Sequence, residues 1–103
     1  MKYEIKYHRT ADNKEPVTEW LYALRDKVTR IRIENRIQRM REGNLGKHKH
    51  FSGIFELIID FGPGYRVYCG KYGNTLIILL TAGDKGAQNK DIQLALKYWE
   101  DYK

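Results

Sequence analysis

Hydrophobic and polar positions change period along the chain, and the changes mark its elements. "KYEIKYH" at 2–8 alternates Tyr3, Ile5 and Tyr7 with charged or polar residues, the period of a half-buried strand. After "NKEP" the period lengthens. Val17, Trp20, Leu21 and Leu24 fall at i, i+3, i+4 and i+7, the stripe of an amphipathic helix, and Pro16 suits its first turn. A break near Asp26–Lys27 leads into "VTRIRIENRIQRMREGN". There Ile33, Ile37 and Met40 share a face, while Arg30, Arg32, Arg36, Arg39 and Arg41 decorate the helix and Gly43 stops it. Two helices joined this tightly predict an antiparallel helical hairpin.

The second half reads as strands. "IFELIIDF" (54–61), "YRVYCGKY" (65–72) and "TLIILLT" (75–81) are rich in β-branched and aromatic residues. Gly62-Pro63-Gly64 and Gly73-Asn74 separate them as turns, and connections this short imply an antiparallel meander. "GDKGAQNKD" reads as a loop. Ile92, Ala95, Leu96 and Trp99 repeat the helical stripe, so the chain ends in a helix. The order is β-α-α, then three strands with a further one allowed before them, then α. This predicts a single α+β domain over 1–103, its helices packed on one face of a twisted antiparallel sheet.

Charge adds a regional feature. The chain of 103 residues carries a net +6 and a pI near 9.5. Residues 1–53 hold 13 Lys/Arg against 7 Asp/Glu, and residues 54–103 hold 6 against 6. The excess lies wholly in the first half and calls for an anionic partner: nucleic acid, an acidic protein or a membrane surface. Cys69 is the single cysteine, which rules out an intrachain disulfide and fits a reducing compartment. It lies in an apolar strand pattern and reads as a buried structural thiol. "MKYEIKYHRT" has no apolar core of a signal peptide, and "LIILL" is too short to span a bilayer, so a cytoplasmic protein is expected.

Several motifs fail or stay open on context. "DFG" at 60–62 stands in a chain too short for a kinase, and "GPGYRVYCG" lies inside a β-hairpin rather than between strand and helix. "HKH" at 48–50 puts two imidazoles on one strand face. No Cys or acidic cluster accompanies them, leaving a metal site, a solvated basic edge or a functional basic face as readings. The arginine-bearing helix is either a solvated face or a surface for nucleic acid or an acidic segment. Arg66 follows the Gly-Pro-Gly turn. By alternation Tyr65, Val67 and Cys69 face the helices, which leaves Arg66 and Tyr68 on an open face, near Glu56 or Ile58 of the preceding strand. A cross-strand Arg–Glu pair is the plain structural reading.

The run "FELIIDFGPGYRVYCGKYGNTLIILLTAGDKGAQNKDIQLALKYW" resembles the HigB-like "addiction module killer protein" branch of the RelE/ParE superfamily, the toxins of type II toxin–antitoxin modules. "GPGYRVY", a hydrophobic strand and "GDKGAQNKDI" carry the resemblance. Trp20 to Leu24 and the arginine-rich helix suit it. It implies a helical hairpin on a twisted antiparallel sheet and a metal-independent, cofactor-free mRNA endonuclease (an mRNA interferase) that acts on the ribosome and inhibits translation. It also implies a cognate helix-turn-helix antitoxin and contact with operator DNA only through that antitoxin. The alternatives are a gyrase-directed ParE-like toxin or an attenuated, antitoxin-binding protein without nuclease activity.

The resemblance also assigns residues. RNA cleavage without metal makes the 2′-hydroxyl attack its own phosphodiester. This needs a base for that proton, cations for the phosphorane and an acid for the leaving 5′-oxygen. Arg66 stands where the family carries its strand arginine, and an arginine fork binds two phosphate oxygens. Lys85 could supply a second cation or the acid. Lys49, His48 or His50 is the candidate base or phosphate contact, with Lys47, His48 and Tyr68 as RNA contacts. One position departs: "ELIID" stands where the branch typically reads "ELRID", so Ile58 replaces an arginine. With that cation gone, Glu56 is free to pair with Arg66 and blunt it.

Overall fold

The computed structural model describes residues 2–103. It is an α+β fold, a five-stranded mixed sheet with three α-helices. Strand β1 (Glu4–Tyr7) is followed by α1 (Pro16–Ala23) and α2 (Lys27–Arg41), then by β2 (His48–Phe51), β3 (Ile54–Ile59), β4 (Tyr65–Tyr72) and β5 (Leu76–Asp84), and finally by α3 (Gln88–Trp99). Pro16 occupies the first turn of α1 as expected. The Asp26 side chain caps α2 by accepting from the Val28 N–H at 3.0 Å. Gly43 ends the helix with φ +90, a conformation that costs glycine least.

The strand order is β1-β5-β4-β3-β2. Strands β2 to β5 form the expected antiparallel meander, but β1 lies parallel to β5, with Ile5 opposite Ile77. The sheet is therefore mixed and not purely antiparallel. No local turn fixes the neighbour of β1, because α1 and α2 carry the chain from one sheet edge to the other.

The expectation of helices on one face is also corrected. Val17 and Leu21 of α1 and Ile33, Ile37 and Met40 of α2 pack with Phe55, Leu57, Val67, Cys69, Ile77 and Leu79 on one side. Helix α3 covers the other side, where Ala95 and Trp99 meet Ile54, Tyr68, Ile78 and Leu80. Strand β5 thus buries both faces, which is why "LIILL" is continuously apolar rather than alternating. Trp99 lies against Gly70, where a Cβ would stand 2.2 Å from the indole ring. Cys69 is fully buried, and burial pushes its thiol pKa up, as befits a structural cysteine. Among the described residues no helix is long and apolar enough to cross a membrane.

His8, just after β1, joins the chain's two ends. Its ring packs on Tyr98 and Tyr102 with centroids 4.5 and 5.5 Å away, and its Nδ1 lies 2.7 Å from the Tyr102 hydroxyl. Strands β1 and β2 are opposite edges of the sheet, so His8 shares no site with His48 and His50. Burial lowers the His8 pKa below 6.5, with Asp101 opposing and Lys6 adding to the shift. A depressed folded-state pKa means that the unfolded chain binds the proton first. Stability is therefore expected to be full above about pH 6.5 and to fall as the pH drops from there towards the folded-state pKa. Denaturation midpoints measured from pH 8 to pH 5 should show this decline, and His8→Phe should flatten it. An unchanged slope in that variant would remove His8 as the cause.

Candidate active site

The Gly-Pro-Gly turn builds one wall of a cleft of about 300 Å³. Gly62 and Gly64 adopt φ +58 and +88, and the Gly64 N–H donates to the Phe61 carbonyl at 3.0 Å, closing the turn. The Gly64 carbonyl in turn accepts from the Lys85 N–H at 3.0 Å. That bond brings the chain after β5 against the turn, so Arg66 and Lys85 line the same cleft with Asp60. A Cβ on Gly64 would stand 3.8 Å from the Arg66 guanidinium and 3.7 Å from Lys85. The glycine keeps the opening between the two cations.

"GDK" divides its work. It does not lie in a loop, as its composition implied: Gly83 and Asp84 end β5, and Lys85–Ala87 form a short 3₁₀ turn before α3. Gly83 leaves room for Asp91, whose carboxylate would be 1.9 Å from a Cβ there. Asp84 caps the 3₁₀ turn by accepting from the Ala87 N–H at 3.2 Å. Lys85 is exposed and, among the described residues, has no carboxylate within ion-pair distance.

Arg66 is not on an open face. Its residue exposure is 9%, because the start of α3 closes over this part of the sheet. Of the two neighbours expected, Ile58 is its direct cross-strand partner, and the Glu56 carboxylate lies diagonally with Oε1 3.7 Å from Arg66 Nε. The cross-strand Arg–Glu pair therefore exists. Glu56 is 2% exposed and also accepts a hydrogen bond from Gln88 Nε2 at 2.9 Å. Arg66 Nη1 donates to the Tyr65 carbonyl at 3.1 Å. The side chain is thus held from below and behind while it contributes to the cleft wall.

Tyr68 is corrected as well. It is fully buried, so its ring is not a surface on which an RNA base could stack. Burial, and then the nearby Glu56 charge, raise its phenol pKa far above the usual value. Burial also raises the carboxyl pKa of Asp91 on α3. Buried Glu56, Arg66 and Tyr68, with half-buried Gln88 and Asp91, make a polar layer between sheet and helix, supporting the cleft. Sequence reasoning missed Gln88 and Asp91 as parts of it. The available signal was a pair of polar residues on the first turn of a helix whose other face is apolar.

The basic run before β3 splits between the two faces. His48 and His50 pair with Leu57 and Phe55, and their rings stand 6.1 and 5.6 Å from Phe55, on the α1/α2 side of the sheet. Neither imidazole shares the face of Arg66, so His50 and His48 are not brought to the cleft. Lys49 pairs with Glu56 and does share that face, two strands across and two residues along from Arg66, or about 12 Å at ordinary strand spacing and rise. Lys47 reaches Asp60 and forms an ion pair with it. That hydrogen bond, reinforced by the charges of Arg66 and Lys85, holds the Asp60 carboxyl below its usual pKa. Among the described residues no group of three or more His, Cys, Asp or Glu could hold a metal.

No family model matches the chain. It is 43% identical over 96 residues to an uncharacterized protein of Haemophilus influenzae, an overlap of 92% of this chain and 91% of that one. The chain belongs to that protein's family. The shared region covers nearly the whole of both chains, so it takes in the cleft's elements as well as the core.

Proposed function

We propose that the protein is a HigB-like toxin of the RelE/ParE superfamily, acting in the cytoplasm as a metal-independent endonuclease of mRNA on the ribosome. The observation that supports this best is the convergence of Arg66 and Lys85 on one cleft behind a glycine turn. A phosphodiester seated there meets an arginine fork and an unpaired ammonium, the cations that a phosphorane requires. Arg66 binds and stabilises the phosphate; Lys85 neutralises the leaving 5′-oxygen or protonates it. Lys49 is the residue left to take the 2′-hydroxyl proton. The products are a 2′,3′-cyclic phosphate and a 5′-hydroxyl, with no cofactor consumed. The element order, two helices before a four-stranded meander and a final helix, supports this reading.

The partner in this reading is an antitoxin with acidic amphipathic segments, which also carries the operator-DNA contact. Exposed Tyr22, Val28 and Ile31 on α1 and α2, beside the cationic first half of the chain, supply a matching surface. A second reading, an attenuated or gyrase-directed protein, draws support from the buried Glu56–Arg66 pair, which occupies part of the guanidinium. Induced expression followed by mapping of transcript ends separates the two. Cuts inside translated codons are expected. Intact transcripts with a DNA-damage response would overturn the nuclease reading in favour of the second.

A further inference from the structure

The end of β3 borders a second cleft. It measures about 370 Å³ and lies between α2 and the segment Ile59–Phe61. Arg32, Asn35, Arg36 and Arg39 line it, at i, i+3, i+4 and i+7 along α2, so one stripe of the helix faces it. These residues are not equivalent. Arg36 is committed to the fold: its guanidinium donates to the carbonyls of Ile58, Leu45 and Lys47 at 2.8, 3.2 and 3.1 Å. Arg32 and Arg39 are exposed and, among the described residues, neither forms an ion pair. The Arg32 guanidinium lies 4.1 Å from the centre of the Phe61 ring. The carboxylate on the wall, Asp60, is already paired with Lys47.

This cleft and the one at Arg66 are neighbours around a sheet edge. Strand β2 begins at His48, opposite Leu57, so no strand flanks Ile59–Phe61 on that side. Asp60 and Phe61 line both clefts. A strand of RNA laid over this edge would pass from Arg66 and Lys85, across the Asp60–Lys47 ion pair, to Arg39 and Arg32.

We propose that the α2–β3 cleft is a second RNA subsite, holding a nucleotide that flanks the cleaved linkage, with its phosphate against Arg39 and its base stacked on the Arg32–Phe61 pair. This rests on reading the Arg66–Lys85 cleft as the site of RNA cleavage. Single-stranded nucleic acid fits better than an acidic peptide for two reasons. A guanidinium plane beside an aromatic ring is a platform for a base, an interaction that a carboxylate does not use. The free arginine fork of Arg39 matches two phosphate oxygens.

The test measures binding of a 2′-O-methyl hexanucleotide and a 2′-O-methyl dinucleotide, both uncleavable, by fluorescence anisotropy at several salt concentrations. The parent is compared with Arg32→Ala/Arg39→Ala and with Arg66→Ala/Glu56→Gln, all checked by thermal melts. The arginine pair variant is expected to bind the hexanucleotide roughly tenfold more weakly, as removal of one stacked base implies. Its salt slope should shrink by about 0.7, because one phosphate is no longer neutralised by Arg39. Its dinucleotide affinity should not change. Arg32→Lys should keep the slope and lose affinity, because it retains charge without a plane. If the arginine pair variant binds the hexanucleotide like the parent while Arg66→Ala/Glu56→Gln binds it weakly, the subsite is overturned and the proposed function stands. If the parent binds neither oligonucleotide, the RNA reading falls and the subsite with it. If the arginine pair variant loses only affinity for polyglutamate, the cleft serves an acidic partner and the subsite is overturned.

Discussion

Arg66→Ala is expected to lower transcript cleavage by roughly 100- to 1000-fold, equivalent to about 2.7–4 kcal/mol of barrier, with growth arrest lost in parallel. The buried position of Arg66 changes how this must be measured. On an open sheet face the substitution would leave the fold intact. Here it leaves the Glu56 carboxylate, 2% exposed, with Gln88 as its remaining partner. Breaking a buried ion pair from one side costs about 3–5 kcal/mol, so the single variant will also melt early. Glu56→Gln in the same chain removes the stranded charge. The double variant should recover most of the stability and none of the activity. Arg66→Lys should be impaired too, since an ammonium cannot offer the planar fork. A double variant that melts like the parent and still cuts transcripts at the parental rate would sink the assignment of Arg66 as the phosphate-binding residue.

The largest effect on stability is expected from Trp99→Ala. Trp99, the last residue of α3, is 7% exposed within the apolar cluster on the α3 side of the sheet, stacks on Tyr102 with centroids 5.6 Å apart, and fills the space that Gly70 leaves. Truncating a core tryptophan costs about 3–5 kcal/mol. For a domain of this size each kcal/mol lowers the melting temperature by about 4 °C or more, so a fall of at least about 12 °C is expected. Gly70→Ala should act in the same direction by the opposite cause, because the added methyl would collide with the indole ring 2.2 Å away. Both substitutions loosen α3, and α3 carries Gln88 onto Glu56. Cleavage should therefore fall in each variant at temperatures where the rest of the chain is still folded. Thermal melts and near-ultraviolet circular dichroism measure the first effect, and transcript mapping the second. A Trp99→Ala protein that melts within about 4 °C of the parent would show that the α3 face is not a second core.

The residues of the elements were legible in the sequence because their causes are local. Pro16, Asp26 and Gly43 bound the first two helices, and Ile33, Ile37 and Met40 are fully buried as their spacing predicts. Alternation along β4 correctly separated Tyr65, Val67 and Cys69 from Arg66 and Tyr68, and the turn at Gly62–Gly64 narrowed the neighbours of Arg66 to Glu56 or Ile58, of which the register selects Ile58. Periodicity dictates which side chains share a face. What lies over that face is settled by parts of the chain far away in sequence. Helix α3 buries Arg66 and Tyr68, β1 joins β5 in parallel, and the pairing of β2 with β3 sets His48 and His50 on the α1/α2 side of the sheet. The Lys85 N–H bonds to the Gly64 carbonyl 21 residues earlier, and this bond makes two separate basic positions into one cleft. Such approaches form because burying both faces of β4 and β5 removes apolar surface from water, a non-directional force with no local pattern in the chain. The order of residues along the chain therefore set the elements, their faces and the candidate cations, while the packing of distant segments settled which cations meet and how deeply they are buried.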